Sequence, residues 1–335
     1  MPRLARPLNT LALLMIGASL LAPGMRATAQ DGPPDPRFGA VEAYRRPEAA
    51  AELGVAWERI IFYWSEIERE GPDDWNWHHV PLQRLDAEIA QGREIVGLLS
   101  NTPAWATDGA PSAGVPRGLY LPLDDPGNLW AGFVRDVTRE YRGRVNRWII
   151  WNEPDIDINT FGTLWEGAVE DYYQLVKVAY LVAHEENPGV KIHLAGLTHW
   201  HHPTYFREFL AVALADPEAA AHDYFFDVAS LHHYFQPETT RDNVGDAQSA
   251  MAEAGLDKPI WINETNAPPY DDPLQPWQAP TWLITQEMQA AFLLQEFALA
   301  LSFGVERIAV YKLVDEPAPP PGFEPYGLLR ADDTP

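Results

Sequence analysis

Arg147-Trp148-Ile149-Ile150-Trp151-Asn152-Glu153-Pro154-Asp155 is a short apolar run that ends on Asn-Glu-Pro. Residues 147–151 have the length and composition of a strand buried in a parallel sheet, and Glu153 stands at its carboxyl end. On the amino side, Trp130, Phe133, Val134, Val137 and Tyr141 recur at helical spacing. On the carboxyl side, Tyr172, Leu175, Val176 and Ala179 do the same, until Asn187-Pro188-Gly189 stops the helix. The unit is therefore helix, strand, loop, helix.

That unit repeats from Phe38 onward, which argues for parallel βα units. Apolar runs at 38–41, 57–63, 95–99, 147–151, 190–197, 226–231, 260–262 and 307–311 give eight strands. Eight strands point to an α/β fold, the closed (β/α)8 TIM barrel, rather than an open doubly wound sheet. Phe206, Phe209, Leu210 and Ala213 mark another helix, and 288–303 is a long apolar one ended by Gly304. After Tyr311 the chain is proline-rich through Pro325 and stops at Pro335. The eighth helix is thus expected to be missing, or the chain to be a fragment, with strands 8 and 1 partly uncovered. Long loops at 101–127 and 265–284 follow strands 3 and 7, and loops of that length are usually functional.

The chain has 335 residues and is 46 % hydrophobic, enough for a sizeable core. A barrel of this type needs about 250 residues, so 37–335 reads as one catalytic domain. Residues 1–29 read as a secretory signal peptide: Arg3 and Arg6, an apolar run at 11–22, then Ala27-Thr28-Ala29. The run is shorter than the ~20 residues of a membrane span. No membrane span is expected, and the protein is expected to be secreted, extracellular or periplasmic. Residues 30–36 read as a disordered leader.

There is no cysteine, which excludes a disulfide framework, a cysteine metal site and a thiol nucleophile. The formal charge is −24, and the first 29 residues hold three arginines and no acid, so the rest is more acidic still. Such a surface repels nucleic acid and anionic membranes and suits neutral ligands. No phosphate loop or dinucleotide fingerprint is present, and no cofactor is expected. Nothing in the pattern sets an oligomeric state.

A second acid completes the chemistry. Glu264 ends the seventh strand in Ile260-Trp261-Ile262-Asn263-Glu264-Thr265-Asn266. Catalytic sites of this fold sit at the carboxyl ends of the strands. In a ring of eight, strands 4 and 7 face each other across that mouth. Two carboxylates across one cavity suit glycoside hydrolysis: one protonates the leaving oxygen, the other attacks the anomeric carbon or activates water. Retaining enzymes hold the carboxyls ~5–5.5 Å apart and inverting ones about 6.5–9.5 Å. The residues alone leave that choice open.

Trp151-Asn152-Glu153-Pro154 at strand 4, with a glutamate at strand 7, resembles clan A glycoside hydrolases. The resemblance implies a retaining mechanism with Glu153 as acid/base and Glu264 as nucleophile. Residues 54–59 and 64–68 are similar to the strand 2 region of family 39 and related, family 5-like hydrolases, and Pro103 and Trp105 fit after strand 3. His232-His233-Tyr234 resembles the His-x-Tyr of the clan. At strand 8 the chain departs from the pattern: a tryptophan commonly stands there, and this chain has Tyr311 followed by Lys312. Tyr311 is expected to replace it, or Lys312 to project into the site.

These positions have coherent roles. Arg59 can hold Glu264 ionised, since a neighbouring cation favours a carboxylate; its rival partners are Glu66 and Glu68. Tyr234 can donate to the nucleophile, and Asn152 can bind the sugar 2-hydroxyl. With Glu264 ionised, a second negative charge beside it is disfavoured, so Glu153 keeps its proton. His232 either serves the site or braces a loop. Of 13 tryptophans, Trp105, Trp200, Trp277 and Trp282 lie in post-strand loops where indoles can stack on sugars. Trp57, Trp148 and Trp261 sit within strands and read as core. His199-Trp200-His201-His202 has no carboxylate at metal spacing, so no metal is expected, and the Asn263-Glu264-Thr265 glycosylation pattern falls inside a cleft. The expected ligand is a glycoside, oligosaccharide or polysaccharide. A non-catalytic sugar-binding barrel and a transglycosylase are the alternatives.

Overall fold

Eight runs rich in Val, Ile, Leu and aromatic side chains form strands: β1 (Phe38–Val41), β2 (Trp57–Tyr63), β3 (Glu94–Ser100), β4 (Val145–Ile150), β5 (Lys191–Leu197), β6 (Val228–Tyr234), β7 (Ile260–Asn266) and β8 (Arg307–Val310). The computed structural model describes residues 32–156, 164–274, 282–315 and 325–331. All pairings are parallel, each strand bonds to its sequence neighbours, and β8 closes on β1. The fold is the expected (β/α)8 barrel. The expected signal peptide at 1–29, most of the proline-rich stretch after strand 8, and Trp277 lie outside the described residues. Residues 32–36 of the expected leader form no helix or strand.

Strands of such a barrel are buried on both faces, which is why they read as continuous apolar runs. On β4, Trp148 and Ile150 face outward into a core shared with Trp130, Phe133 and Val137 of the helix Leu129–Glu140. Ile149 faces inward with Trp57, Val96, Leu98, Val228, Trp261 and Ala309. Trp57 and Trp261 meet there at 5.0 Å between ring centroids, as the middle plug of the barrel. Trp57, Trp148 and Trp261 are thus core, as their positions within strands implied.

Several strand bounds differ from expectation. β7 runs on through Glu264 to Asn266, and β6 through His232 to Tyr234. The polar residues there broke the apolar run, but they still pair, His232 with Glu264 and Tyr234 with Asn266. β4 ends at Ile150, one residue early, because Trp151 already adopts a positive φ of 75°. β7 also slips register between Ile262 and Thr265. Trp261 and Glu264 are three residues apart yet both face the barrel interior, which strict alternation forbids. The irregularity turns Glu264 inward.

Among the described residues no helix follows β8. The seam between β8 and β1 is nonetheless packed, contrary to expectation. Leu328 and Leu329 return against Ala40, Val310, Leu313 and Val314, together with Leu293 and Phe297 of the helix Gln286–Ser302. Backbone bonds Leu328 N to Lys312 O (3.1 Å) and Leu329 N to Leu313 O (3.0 Å) hold that segment in place.

Candidate active site

The chain leaves β4 through a strained turn. Trp151 and Glu153 have φ of 75° and 44°, and left-handed backbone costs a non-glycine residue about 1–2 kcal/mol. Neighbouring bonds hold it there. Trp151 N donates to Leu99 O (2.9 Å) and its indole N–H to Leu164 O (2.8 Å). The buried Asp155 carboxylate accepts from Thr198 N (2.8 Å), Thr198 Oγ1 (2.9 Å) and His199 N (3.0 Å), tying this turn to the loop after β5. Strain retained by such a network is characteristic of functional sites.

Glu153 and Glu264 meet at the mouth. Arg59 from β2 forms a buried ion pair with Glu264 Oε1. It does not pair with Glu66, which bonds Arg69, or with Glu68, which accepts from the Trp64 indole. Tyr234 OH donates to Glu264 Oε2 at 2.5 Å. His232 Nδ1 lies 2.7 Å from Glu153 Oε1 and 3.5 Å from Glu264 Oε2. Gly196 of β5 makes room for that ring: a Cβ there would stand 2.0 Å from His232 Cδ2 and Nε2.

The electrostatics separate the groups. Burial alone would raise the Glu264 carboxyl, but the Arg59 charge, the His232 ring and the Tyr234 hydrogen bond outweigh it and hold it below the usual carboxylate range. Burial opposes charge on His232 as well, yet the two glutamates raise it above the ordinary imidazole value. Burial and the Glu264 charge push Tyr234 far up, so it stays a donor.

These residues line a cavity of about 620 Å³ at the carboxyl ends of the strands. Arg59, Asn152, Glu153, His232, Tyr234, Glu264 and Tyr311 all reach it, as do Trp200 and Trp282. Trp105 is not part of its wall. Its indole donates to Glu68 O (3.0 Å) and packs edge-on against Trp64. It is a loop anchor, because the Trp64–Ile67 turn after β2 stands beneath it. Lys312 is buried and is also absent from the wall. Tyr63, His201, Phe235 and Tyr326 line the cavity without having been expected there. Tyr63 closes a strand whose end faces the mouth, a position that could have flagged it. Tyr326 lies in a stretch with no periodic pattern, so no sequence signal marks it.

The histidine run diverges, since His199 turns to Asp246, His202 to Glu208, and His201 to the cavity. Donor atoms of Glu153, His232 and Glu264 do converge within 4.8 Å. A divalent cation there would sit beside the Arg59 guanidinium, so the set suits proton exchange rather than metal ligation. Asn263 is fully buried, which removes it as a glycan acceptor.

No family model matches the chain, and no curated protein matches its sequence. Solved structures share its fold. A family 39 glycoside hydrolase from the gut symbiont Bacteroides cellulosilyticus WH2 superposes with a TM-score of 0.62 at 17 % identity, over 89 % of this chain and 61 % of that one. A monomeric β-xylosidase from Caulobacter crescentus CB15 gives 0.63 at 17 % identity, over 90 % of this chain and 66 % of that one. A family 1 β-glucosidase from Thermotoga maritima gives 0.57 at 15 % identity, covering 87 % and 82 %. The chain therefore spans less than two thirds of the first two structures. The resemblance to clan A barrels holds at the level of the fold.

Proposed function

We propose that the protein is a secreted, retaining β-glycoside hydrolase. One observation carries the reading: single oxygens of Glu153 and Glu264 lie within 4.8 Å of each other at the mouth of the barrel. So close an approach suits the ~5–5.5 Å carboxyl separation of retaining sites better than the about 6.5–9.5 Å of inverting ones. The β-xylosidase, β-glucosidase and exo-β-1,4-mannosidase among the solved structures of like fold support a β-linked sugar as substrate.

The Glu264 carboxylate, held ionised by Arg59 and Tyr234, forms a bond to the anomeric carbon. As the carbon–oxygen bond to the leaving group breaks, Glu153 gives its proton to that oxygen. Bond formation cancels the charge on Glu264, so Glu153 can then act as a base. It takes a proton from water, the water oxygen bonds to the anomeric carbon, and the Glu264 ester breaks. His232 fixes the orientation of the Glu153 carboxyl. Asn152 holds the sugar 2-hydroxyl, a contact that strengthens in the transition state.

The test is paired substitution. Glu153→Gln should reduce turnover of glycosides with poor leaving groups about 10²–10⁴-fold, while activated aryl glycosides are spared in the first step. Glu264→Ala should be inactive and recover with azide as a glycosyl azide of inverted configuration. Equal loss on both substrate types, or no azide product from any tested aryl glycoside, overturns the assignment. Binding without hydrolysis across the panel would make the barrel a sugar-binding module instead.

A further inference from the structure

Residues 325–331 return to the barrel after β8, where no helix stands among the described residues. They are fastened more closely than an apolar cover requires. Tyr326 O accepts from Asn266 Nδ2 (2.6 Å), which also donates to Tyr311 O (2.7 Å). Gly327 N donates to Asp315 Oδ1 (2.7 Å), and Asp315 N to Leu329 O (3.0 Å). Arg330 grips Asp272 with a fork of two bonds, Nε to Oδ2 (2.8 Å) and Nη2 to Oδ1 (3.0 Å). Arg46 Nη2 donates to Ala331 O (2.8 Å). Gly327 passes so close to its neighbours that a Cβ there would stand 2.5 Å from Asp315 N and 2.6 Å from Leu329 O. Leucines alone could cover the seam, whereas directional bonds to fixed partners set one position along it.

Two of these anchors belong to the strand of Glu264 and the connection that follows it. Asn266 is fully buried at the end of β7, and Asp272 beyond it is 5 % exposed. The phenol that they hold reaches the Glu264 side of the cavity. Tyr326 is half-buried and lines the wall. Its ring lies 5.5 Å from Tyr234 and 5.3 Å from Tyr311 between centroids, edge-on to both. Tyr234 is the group that donates to Glu264 Oε2. Tyr234 ends β6 and Tyr311 follows β8 directly, so the barrel places both. Tyr326 is in no strand, and its place depends on the bonds of its own segment. Breaking a buried ion pair on one side leaves an uncompensated charge, so the Asp272–Arg330 contact resists slippage of that segment.

We infer that residues 325–331 form a strap that completes the active site, with Tyr326 as a substrate contact beside Glu264 and the Arg330–Asp272 pair as the latch that positions it. The inference rests on the glycosidase reading above. It is tested by a double-mutant cycle of Arg330→Met and Tyr326→Ala with two readouts. The first needs no substrate: hydrogen exchange at the Leu328 and Leu329 amides, which donate to Lys312 O and Leu313 O. Arg330→Met should speed it about tenfold or more, with the Ile149 amide of β4 unchanged. If Ile149 speeds up as well, Arg330→Lys takes its place in the cycle. The second readout is kcat/KM on the aryl β-glycoside that the parent turns over fastest among xyloside, glucoside and mannoside. Each single variant should lose about tenfold. The double variant should lose about tenfold as well, because Arg330 acts only through Tyr326. Arg330→Lys keeps the charge but not the fork, so it should lose less than Arg330→Met. Unchanged exchange in Arg330→Met overturns the latch. Unchanged kcat/KM in Tyr326→Ala overturns the substrate contact. A loss of about hundredfold in the double variant means that the two residues act independently and overturns the strap. A parent that turns over no aryl glycoside overturns the glycosidase reading, and the role of Tyr326 with it, while the exchange rates still decide the latch.

Discussion

The barrel carries an arginine–glutamate cluster at each end, and the two are built differently. At the amino end, Glu94 accepts from Arg147 Nε (2.7 Å) and Arg307 Nη1 (2.5 Å), and both guanidiniums lie over the Trp261 ring. Trp261 Nε1 in turn donates to Glu306 (2.7 Å). These charged side chains keep 15–39 % of their surface, so solvent shares the work. At the mouth, Arg59 and Glu264 are almost entirely buried. There Arg59 Nε and Nη1, His232 Nε2 and both polar atoms of Asn263 have no partner among the described residues. Leaving a buried donor or acceptor unmade costs about 1–3 kcal/mol. In the lower cluster the charged groups pair with one another, although His193 Nδ1 and Trp57 Nε1 beside Trp261 are unpartnered too among the described residues, while in the upper one Arg59, His232 and Glu264 border the cavity. Like residue types therefore seal one end and equip the other.

The sharpest way to break that contrast is Arg59→Met. It removes the cation that keeps Glu264 ionised and leaves only the burial that favours its proton. Separating a buried pair costs about 3–5 kcal/mol, so kcat/KM should drop by about hundredfold or more. The sign is fixed by the lowered pKa of Glu264: the parent keeps its carboxylate well into acid, and the variant loses it as pH falls through a higher value. The acid limb of the pH–rate profile should move upward. Superimposable profiles would show that Arg59 is only a structural brace, like the arginines below.

Tyr234→Phe sharpens the same point with less disruption. It deletes one hydrogen bond to a charged oxygen, worth ~1.5–3 kcal/mol, so kcat should fall about 10–100-fold with the fold intact. An unchanged kcat would mean that the 2.5 Å contact does no work in the transition state. Gly196→Ala probes the packing beneath. The added carbon cannot share space with the His232 ring. Overpacking of this kind costs about 1–3 kcal/mol, and displacement of His232 should lower kcat on poor leaving groups about tenfold. Full activity would show that His232 does not position Glu153.

The amino end was less legible in the sequence than the mouth, for a physical reason. Glu153 could be placed because an apolar run announces a strand and the next residues must project from its end. Glu94, Arg147 and Arg307 begin their strands or lie near the beginning, where charged residues look like ordinary surface. Only barrel closure, which brings β3, β4 and β8 around one axis, makes them meet. Glu264 was found although its strand was drawn too short, because the register slip that aims it inward leaves no trace in periodicity. Trp105 was misplaced for the opposite reason. Its loop position was right, but its ring turned to Trp64, and loop side chains have no period to orient them. Tyr326 and Leu328 answer to pairing with β8 and its flank, a long-range contact that no local pattern encodes.

The smallest effect should come from the lower cluster, in stability and not in rate. Burial alone would raise the Glu94 carboxyl, but hydrogen bonds from Arg307 and Arg147 hold it below the usual range. A depressed folded value means that the pairing contributes above the unfolded carboxyl value and vanishes as pH falls through the folded one. Glu94 is 39 % exposed, so the pairing is worth about 1 kcal/mol or less. Glu94→Gln should therefore lower the unfolding midpoint at pH 7 by roughly 2 °C, with kcat/KM unchanged. The gap should close in acid, where the parent carboxyl also carries its proton. A gap that persists at about pH 2 would trace the loss to packing over Trp261 rather than to charge. A fall in kcat/KM would show that the two ends of the barrel are linked, and that the lower plug helps to hold the mouth in register.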